Sequence, residues 1–449
     1  MSITINQYPT SPNMTNNNLL YSVSSTQTAQ PQFQFVADLY VSGSEDYVQR
    51  IKQQPNPSGY GTFDLGLLMS SQYGPTDEVW KASVATSNTS SAKQFSVLFG
   101  EEYGSSVSSS VIQYTGVGVV TGSAAVSASE YYYLPNGVVD PNELTNWNWL
   151  SGSYYAEEDA TDDITFVYQH GLTTFATASI RLGDYHTISL LNGNTNGAAN
   201  NATLAQDVFA MTVRQYDSSG VIGSTDIIYN LTLRATDTDP WTDVYTEQTA
   251  ATRLTHFPAG PANLVDAGIA LDSDLSYYTA TFNAQATDRT PNEDGIWGVY
   301  RFDITSANCG YDGVRFAWKN KLGVWDYYNF SLQSDSDTSI ARESYLQNFV
   351  DYSSTSTAVA YSKQRRGQKQ FYNALTQRKT ANSDWLTQAE ADNIKELFFS
   401  TNVYIQDGTD LLPVVIGSAN VVEKSNPRTQ KNFQYLIEFQ PANQLRPRL

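Results

Sequence analysis

The stretch GVRFAWKNKLGVWDYYNF, residues 313–330, contains two Trp, two Tyr and two Phe, interleaved with Arg315, Lys319 and Lys321. Such a mixture is typical of two different structures. A surface that stacks bases or sugars needs aromatic and basic side chains together on one face. A hairpin with one face in a core separates them, because successive side chains of a strand point to opposite faces of the sheet.

The spacing favours the hairpin. Residues 319–323, KNKLG, read as a short turn between two strands. On the strand before this turn, Val314, Phe316 and Trp318 alternate on one face and Arg315 lies on the other. We therefore predict a hairpin whose aromatic residues pack a core or a subunit interface. Its basic residues are expected at the turn and on the outer face.

The whole chain has the composition of a β-protein with a surface that carries few charges. At 449 residues it is longer than one hydrophobic core usually supports, which predicts two or three domains. Charged residues make up only 16%, against roughly 25% in an ordinary globular domain. The surface must then be covered by Ser, Thr, Asn and Gln, which suits β-proteins in assemblies or outside cells.

Charge is distributed unevenly along the chain. Residues 1–300 hold 9 Lys and Arg against 30 Asp and Glu, a net charge of −21. Residues 301–449 hold 17 against 15, a net charge of +2. An acidic body argues against wrapping nucleic acid, whose phosphates require clustered Lys and Arg. The basic part is instead suited to meeting the acidic part of a neighbouring copy.

Strand signals recur along most of the chain with Asn-Gly and Ser-Gly turns between them. They are short runs rich in β-branched and aromatic residues: FQFVADLYVSG (33–43), QFSVLFG (94–100), DITFVYQ (163–169), DVFAMTVRQYDSSG (207–220) and LSYYTATFNAQAT (275–287). Many short strands without intervening helices are typical of antiparallel sandwiches. We predict a mainly β fold with two or more antiparallel β-sandwich-like domains and a small α+β C-terminal unit.

Composition also suggests the domain boundaries. Residues 1–32 are rich in Asn, Ser, Thr and Gln, which predicts a polar N-terminal arm that orders against a partner, or an early edge strand. A turn-dense connection at 129–144 marks the end of a β-sandwich domain at 33–140. An acidic β domain at 141–300 and a C-terminal β domain at 301–449 follow.

One helix is predicted, from Thr387 to about Ser400. Thr387 and Glu390 form a Thr-x-x-Glu capping box, in which each side chain satisfies a free backbone N–H at the helix start. Its apolar face is expected to hold Ile394, Leu397 and Phe398. Strands at 402–405 and 411–417, with an Asp-Gly turn between them, and an alternating closing strand complete the end unit. The alternating residues are Phe433, Tyr435, Ile437 and Phe439.

No catalytic, metal or cofactor site emerges from the motifs, so we predict neither an enzyme nor a bound cofactor. Cys309 is the single cysteine, which excludes an intrachain disulfide and a cysteine zinc site. Asp184 and His186 stand two apart on a predicted strand without an identifiable serine elbow. Acidic runs near 157–163, 237–243 and 272–274 lack the calcium-loop pattern, and solvated turns are the preferred interpretation over calcium.

A basic segment and an aromatic segment remain as candidate interaction sites. The basic residues are Lys363, Arg365, Arg366, Lys369, Arg378 and Lys379. They suit a solvated loop or helix face, a docking surface for an acidic neighbour or, less readily, nucleic acid. The aromatic residues of NWNWLSGSYY (146–155) suit a glycan-stacking surface or packing in a core or interface. They are Trp147, Trp149, Tyr154 and Tyr155.

Four segments together resemble a family of virion structural proteins of tailed phages that infect Bacteroidetes, including crAss-like phages. They are FQFVADLYVSG (33–43), RIKQQPNPSGYGTFDLGLLMSSQY (50–73), the stretch 313–330, and the end of the chain from ELFFSTNVYIQDG (396–408) onward. The resemblance covers about half of the chain and leaves out most of residues 150–290. Its motifs are structural rather than catalytic.

This resemblance implies a structural subunit of a tail ring, neck, hub or baseplate that assembles into a symmetric oligomer. Its partners would be other copies of itself and other virion proteins, and it would reside in the virion after assembly in the host cytoplasm. The N-terminal sequence MSITINQYPT lacks signal-peptide features, and no apolar run reaches membrane-spanning length. The alternative is a carbohydrate-binding adhesin that recognises a host surface glycan.

Overall fold

The computed structural model is a mainly β protein, as the sequence predicts. It describes residues 3–9, 13–41, 46–72, 78–87, 93–104, 131–134, 157–158, 164–165, 173, 175, 177–191, 208–229, 254–285, 291–305, 313–346, 350–351, 360–361, 367–417 and 434–443. These residues form mainly antiparallel sheets with few helices, the pairs Thr177–Ile180 with Pro291–Ile304 and Asn13–Met14 with Tyr131–Leu134 being parallel. Two pairs of sheets pack face to face as sandwiches. The predicted fold class is confirmed.

The elements follow one another in chain order. The early strands are β1 (Ile3–Gln7), β2 (Asn13–Met14), β3 (Leu20–Ser25), β4 (Gln34–Val41), β5 (Gln49–Gln53), β6 (Tyr60–Asp64), β7 (Thr86–Ser87), β8 (Lys93–Glu102) and β9 (Tyr131–Leu134). The middle strands are β10 (Glu157–Glu158), β11 (Ile164–Thr165), β12 (Thr177–Ile180), β13 (Thr187–Leu191), β14 (Val208–Tyr216), β15 (Val221–Tyr229), β16 (Leu254–Pro258), β17 (Tyr277–Gln285) and β18 (Pro291–Ile304).

The late strands are β19 (Val314–Lys319), β20 (Trp325–Phe330), β21 (Ser334–Leu346), β22 (Val350–Asp351), β23 (Ala360–Tyr361), β24 (Gln368–Asn382), β25 (Val403–Asp407), β26 (Asp410–Ile416) and β27 (Leu436–Pro441). The helical elements are α1 (Gly66–Ser70), a 3-10 turn (Glu78–Lys81), α2 (Pro261–Asp266) and α3 (Gln388–Phe399).

The chain divides into two compact units. The first unit comprises Met1–Ser306, Trp318–Tyr328 and Phe399–Thr401. The second comprises Ala307–Ala317, Asn329–Phe398 and Asn402–Leu449. The tip of the hairpin formed by β19 and β20 thus belongs to the first unit, whereas the remainder of both strands belongs to the second.

The first sandwich of the first unit packs the sheet β1-β3-β6 against the sheet β2-β9-β8-β4-β5. Apolar residues at alternate strand positions share one core. They include Tyr21, Val23, Phe35, Phe63 and Phe99. Residues 1–32 therefore contain strands instead of the predicted polar arm, and in the described residues β1 stands at the end of its sheet, as the alternative of an early edge strand predicts. The alternating apolar residues of β3 are few but sufficient to hold a strand between β1 and β6.

The second sandwich packs the sheet β12-β18-β17-β14-β15 against the sheet β13-β16-β7. Its core includes Ile188, Met211, Phe257, Phe282 and Phe302. Strand β7 lies early in the chain but pairs with β16. The predicted domain at 33–140 is thus not one contiguous sandwich, because it lends a strand to the second sandwich.

The two predicted boundaries also differ from the structure. Within the expected connection at 129–144, Tyr131–Leu134 forms β9 and pairs with β8, and residues 135–144 lie outside the described residues. The boundary between residues 300 and 301 falls inside β18, and the first unit continues to Ser306. Turn-forming residues and charge changes mark surface positions, which need not coincide with domain ends.

The sheet of the second unit has the strand order β20-β19-β25-β26-β27-β24-β21. The tip of the hairpin formed by β19 and β20 is the part of this sheet that belongs to the first unit. Helix α3 confirms the predicted helix. Thr387 N donates to Glu390 Oε2 at 2.8 Å and Glu390 N donates to Thr387 Oγ1 at 3.4 Å, as a capping box requires. Ile394 and Leu397 are buried, and the ring of Phe398 lies 5.7 Å from that of Tyr435.

The end of the second unit follows the predicted order of strands. Strands β25 and β26 join through an Asp-Gly turn at which Gly408 adopts a φ of +60°, a left-handed conformation that favours glycine. In the closing strand region Tyr435, Ile437 and Phe439 are buried in alternation. Phe433 lies outside the described residues.

Candidate interaction surface

The hairpin at 313–330 is buried on both faces. The aromatic residues Phe316, Trp318 and Phe330 lie in cores as predicted. Arg315 and Lys319 are buried too, with 4% and 7% of their surface exposed. Lys321 is exposed in the turn as predicted. For Arg315 and Lys319 the expectation of a turn or outer-face position is wrong, because alternation separates the two faces of a strand but does not say whether the second face is covered.

In the first unit, the second face of the hairpin tip meets the back of the sheet β13-β16-β7. Along β13, Ile188 and Leu190 enter the sandwich core, so Thr187 and Ser189 point to the opposite side. There the hydroxyl groups of Thr187 and Tyr327 lie 3.1 Å apart. The tip therefore acts as a third layer on the outside of the second sandwich.

Polar side chains close the turn of the hairpin. Asn320 Oδ1 accepts hydrogen bonds from Leu322 N at 3.0 Å and Val324 N at 3.2 Å, and Asn320 Nδ2 donates to Asp326 Oδ2 at 3.0 Å. Gly323 supplies the positive φ of +79° that the turn needs. Since Asn320 and Asp326 are each about 1% exposed, these bonds replace water that neither group can reach.

The same layer perturbs one titratable group. Burial raises the pKa of Tyr300, and the nearby Asp326 carboxylate adds to that rise. Both causes oppose the negative charge of a tyrosinate. Tyr300 is therefore a neutral phenol in the native state, and its ionisation would destabilise the folded protein.

A Ser–His pair also lies under this layer. Ser189 Oγ is 2.8 Å from His256 Nδ1, and these residues stand directly opposite each other on β13 and β16. A nucleophilic pair must reach a substrate. Ser189 and His256 are 0% and 1% exposed, so the pair is a bond between neighbouring strands.

Asp184 and His186 lie immediately before β13 rather than on it. Asp184 Oδ2 accepts a hydrogen bond from Arg181 N at 2.9 Å. The His186 ring packs 5.0 Å from Phe302 and 4.7 Å from Tyr327. Both residues are buried parts of the packing.

Of the acidic runs considered for calcium, Asp272 and Asp274 lie in an exposed turn and Glu157–Glu158 forms β10. Asp272 Oδ1 accepts a hydrogen bond from Asp274 N at 2.9 Å. Across the described ranges, no three His, Cys, Asp or Glu side chains group so as to hold a metal ion. Within the same ranges, no helix has the length and apolar character to cross a membrane.

The most exposed feature of the second unit is a two-stranded ribbon, formed by β21 (Ser334–Leu346) and β24 (Gln368–Asn382). The strands pair antiparallel from Ser334 opposite Ala381 to Leu346 opposite Gln368. In the described part of the chain, β27 pairs with β24 only over Lys379–Asn382, and β21 ends the sheet. Most of the ribbon thus consists of two strands alone.

Large apolar side chains are exposed along the ribbon. Every residue of β21 after Ser334 is exposed, although the strand is 13 residues long. The exposed apolar residues of the two strands are Ile340, Tyr345, Leu346, Phe371, Tyr372 and Leu375. Leu346 and Phe371 are 85% and 64% exposed. An isolated two-stranded hairpin is marginally stable in water, so a ribbon of this kind is typical of a surface that a partner covers.

The predicted basic segment maps partly onto this ribbon. Lys369, Arg378 and Lys379 belong to β24, which is neither the loop nor the helix face considered from the sequence. Arg378 Nη1 lies 3.2 Å from Glu438 Oε1 in an exposed ion pair. Such pairs contribute little to stability. Three predicted basic residues lie outside the described residues: Lys363, Arg365 and Arg366.

The predicted aromatic surface is not part of the described residues. All four of its residues lie outside the described residues: Trp147, Trp149, Tyr154 and Tyr155. The ribbon was not predicted from the sequence as an apolar surface, although Ile340 alternates with polar residues in SDSDTSIARESYL as in a strand. The feature that sets the ribbon apart is the length of its strands, because 13 and 15 residues exceed the usual 5 to 6.

Comparisons with known proteins give no family assignment. No protein-family model matches the sequence, and a search of curated proteins finds no match.

Proposed function

We propose that the chain is a non-enzymatic structural subunit of a tailed-phage virion, associated with the tail or neck as a ring, hub or baseplate component. The observation that carries the proposal is the ribbon, whose exposed apolar residues a single copy leaves in water. The resemblance of residues 33–43, 50–73 and 313–330 to virion structural proteins supplies the biological setting.

Two further observations support a structural role. The Ser189–His256 pair is sealed inside the first unit, where no substrate reaches it. The polar groups of the hairpin tip bond one another instead of converging on an open cleft. The buried polar pairs Ser189–His256 and Thr187–Tyr327 are therefore accounted for by packing.

The direct test is to locate the protein in particles. Phage particles purified from a lysate are analysed by mass spectrometry, and antibodies against the chain are visualised by electron microscopy. We expect a fixed number of copies per particle and a label at the neck or tail. A chain that is abundant in the lysate but missing from purified particles would refute the proposal.

The carbohydrate-binding alternative rests on Trp147 and Trp149, for which no contact is described. A glycan array decides it. Specific binding that Trp149→Ala abolishes would favour an adhesin. An array without signal would count against the adhesin and leave the structural role as the remaining proposal.

A further inference from the structure

We propose that the ribbon docks onto the acidic first unit of a second copy of this chain. This inference rests on the proposed function only in that copies of the chain must meet. It adds the surface through which they meet and the region of the neighbour that receives it.

The first argument is the arrangement of apolar groups. Ile340 and Leu375 stand directly opposite each other on the two strands. Near the far end, the rings of Tyr345 and Phe371 lie 6.1 Å apart, next to a bulge between Glu343 and Ser344. Apolar residues thus occur at two levels of the ribbon rather than singly. Ile340 and Tyr345 are five positions apart on β21, so alternation places the two groups on opposite faces of the ribbon. Exposed apolar pairs on both faces exceed the scattered single residues of an ordinary surface and mark an interaction site.

The second argument is the open edge. Strand β21 stands at the end of the sheet order in the described residues, and its 13 residues carry no proline. Proteins usually blunt such edges, because unpaired backbone groups invite other strands. Here Asp335, Asp337, Arg342 and Glu343 supply charge along the edge, which limits unspecific strand pairing.

The third argument is charge, and it selects the occupant. The segment from residue 334 to 382 carries 7 Lys and Arg against 4 Asp and Glu, a net charge of +3. Within the ribbon the basic residues lie on β24, which carries 3 Lys and Arg and no Asp or Glu, whereas β21 carries 1 against 3, so β24 is the strand that suits an acidic partner. Residues 1–300 carry a net charge of −21, so the first unit of a second copy attracts the ribbon. Lys369 and Arg342 are exposed charges on the ribbon that are placed to meet it.

The test measures self-association of the purified full-length chain by sedimentation across a concentration series. The ribbon variant carries Leu346→Asp and Phe371→Asp. Its matched control is Leu67→Asp, because Leu67 is 83% exposed, close to the 85% of Leu346, but lies on α1. We expect the ribbon variant to raise the dissociation constant about tenfold or more, while the control leaves it unchanged. Equal urea midpoints, measured at low concentration, verify that both variants fold.

A charge variant addresses the choice of occupant. Lys369→Glu combined with Arg342→Glu is expected to weaken association and to flatten its dependence on salt. A photo-crosslinking residue at position 346 then identifies the neighbour in an equal mixture of isotope-labelled and unlabelled chains. We expect cross-links between differently labelled chains that join the ribbon to residues 1–306.

A wild-type chain that stays monomeric throughout the series would overturn the proposal. So would cross-links confined to single chains, cross-links from ribbon to ribbon, or binding of duplex DNA by the ribbon without self-association. Unchanged assembly of the ribbon variant, with the chain present in particles, would refute the docking surface and leave the proposed function standing. Ribbon-dependent assembly of a chain missing from particles would refute the proposed function and leave the docking surface standing.

Discussion

Two hairpins that follow each other in the chain have opposite fates. The hairpin at 313–330 contains Arg315, Lys319 and Asp326 and is buried on both faces. The ribbon contains Ile340 and Phe371 and exposes both. Polarity would have predicted the reverse. The comparison teaches that the burial of a hairpin depends on what covers its second face, and that polar residues enter a core when neighbours satisfy them.

The largest expected effect contrasts one aromatic residue from each hairpin. Trp318 is completely buried, with its ring 6.1 Å from that of Phe175. Trp318→Ala is expected to lower the free energy of unfolding by about 3–5 kcal/mol, because it opens a cavity that the surroundings only partly fill. Phe371→Ala, measured by urea unfolding at low protein concentration, should stay within about 0.5 kcal/mol of the wild type. Similar losses for both would remove the distinction between the hairpins.

A smaller effect is expected from the amide that closes the buried turn. Asn320→Ala removes three hydrogen bonds and leaves the Asp326 carboxylate with one bond fewer in a dry site. The free energy of unfolding should fall by about 2–3 kcal/mol. The control is Gln377→Ala on the ribbon, where an exposed amide donates to Ser336 Oγ at 3.3 Å and a change below about 0.5 kcal/mol is expected. Urea unfolding monitored by tryptophan fluorescence measures both.

A pH experiment tests the burial of the layer around the hairpin tip. The pKa of Tyr300 is raised in the folded protein, so the neutral phenol contributes stability that is complete below the unfolded pKa of about 10. That contribution is lost as pH rises above this value, and the loss is about 1 kcal/mol at one pH unit above it. The free energy of unfolding of the Tyr300→Phe variant should therefore fall less steeply with rising pH in the alkaline range than that of the wild type. Parallel alkaline profiles of the two proteins would contradict the assignment.

The smallest effect concerns the ribbon itself. Ile340 and Leu375 form a directly opposed pair on an exposed face. A double-mutant cycle with Ile340→Thr and Leu375→Thr should give a coupling energy of about 0.2–1 kcal/mol, the range of cross-strand pairs. A coupling well above this range would mean that the ribbon is already covered within one chain.

Sequence reasoning succeeded where the signal was local. The Thr387–Glu390 box set the start of α3, because both partners lie within one turn of helix. The Asp-Gly turn and the alternating residues Ile437 and Phe439 gave the end unit for the same reason. The mainly β class followed from the many short alternating segments.

It failed where long-range pairing decided the outcome. Nothing in the sequence of Thr86–Ser87 shows that β7 joins β16, some 170 residues later in the chain. Residues 1–32 look polar by composition, yet Tyr21 and Val23 fill a sandwich. A boundary inside β18 was placed by a change of charge, which surface residues carry independently of strand pairing.

For the candidate surface, the sequence by itself determined the basic residues of β24, the turn of the hairpin at 313–330 and the alternation of its strands. Only the tertiary structure decided that Arg315 and Lys319 are buried while Leu346 and Phe371 are exposed. The physical reason is that alternation fixes which side chains share a face, whereas burial depends on whether another layer lies on that face. That layer comes from distant parts of the chain, such as Thr187 on β13, or is supplied by a second molecule.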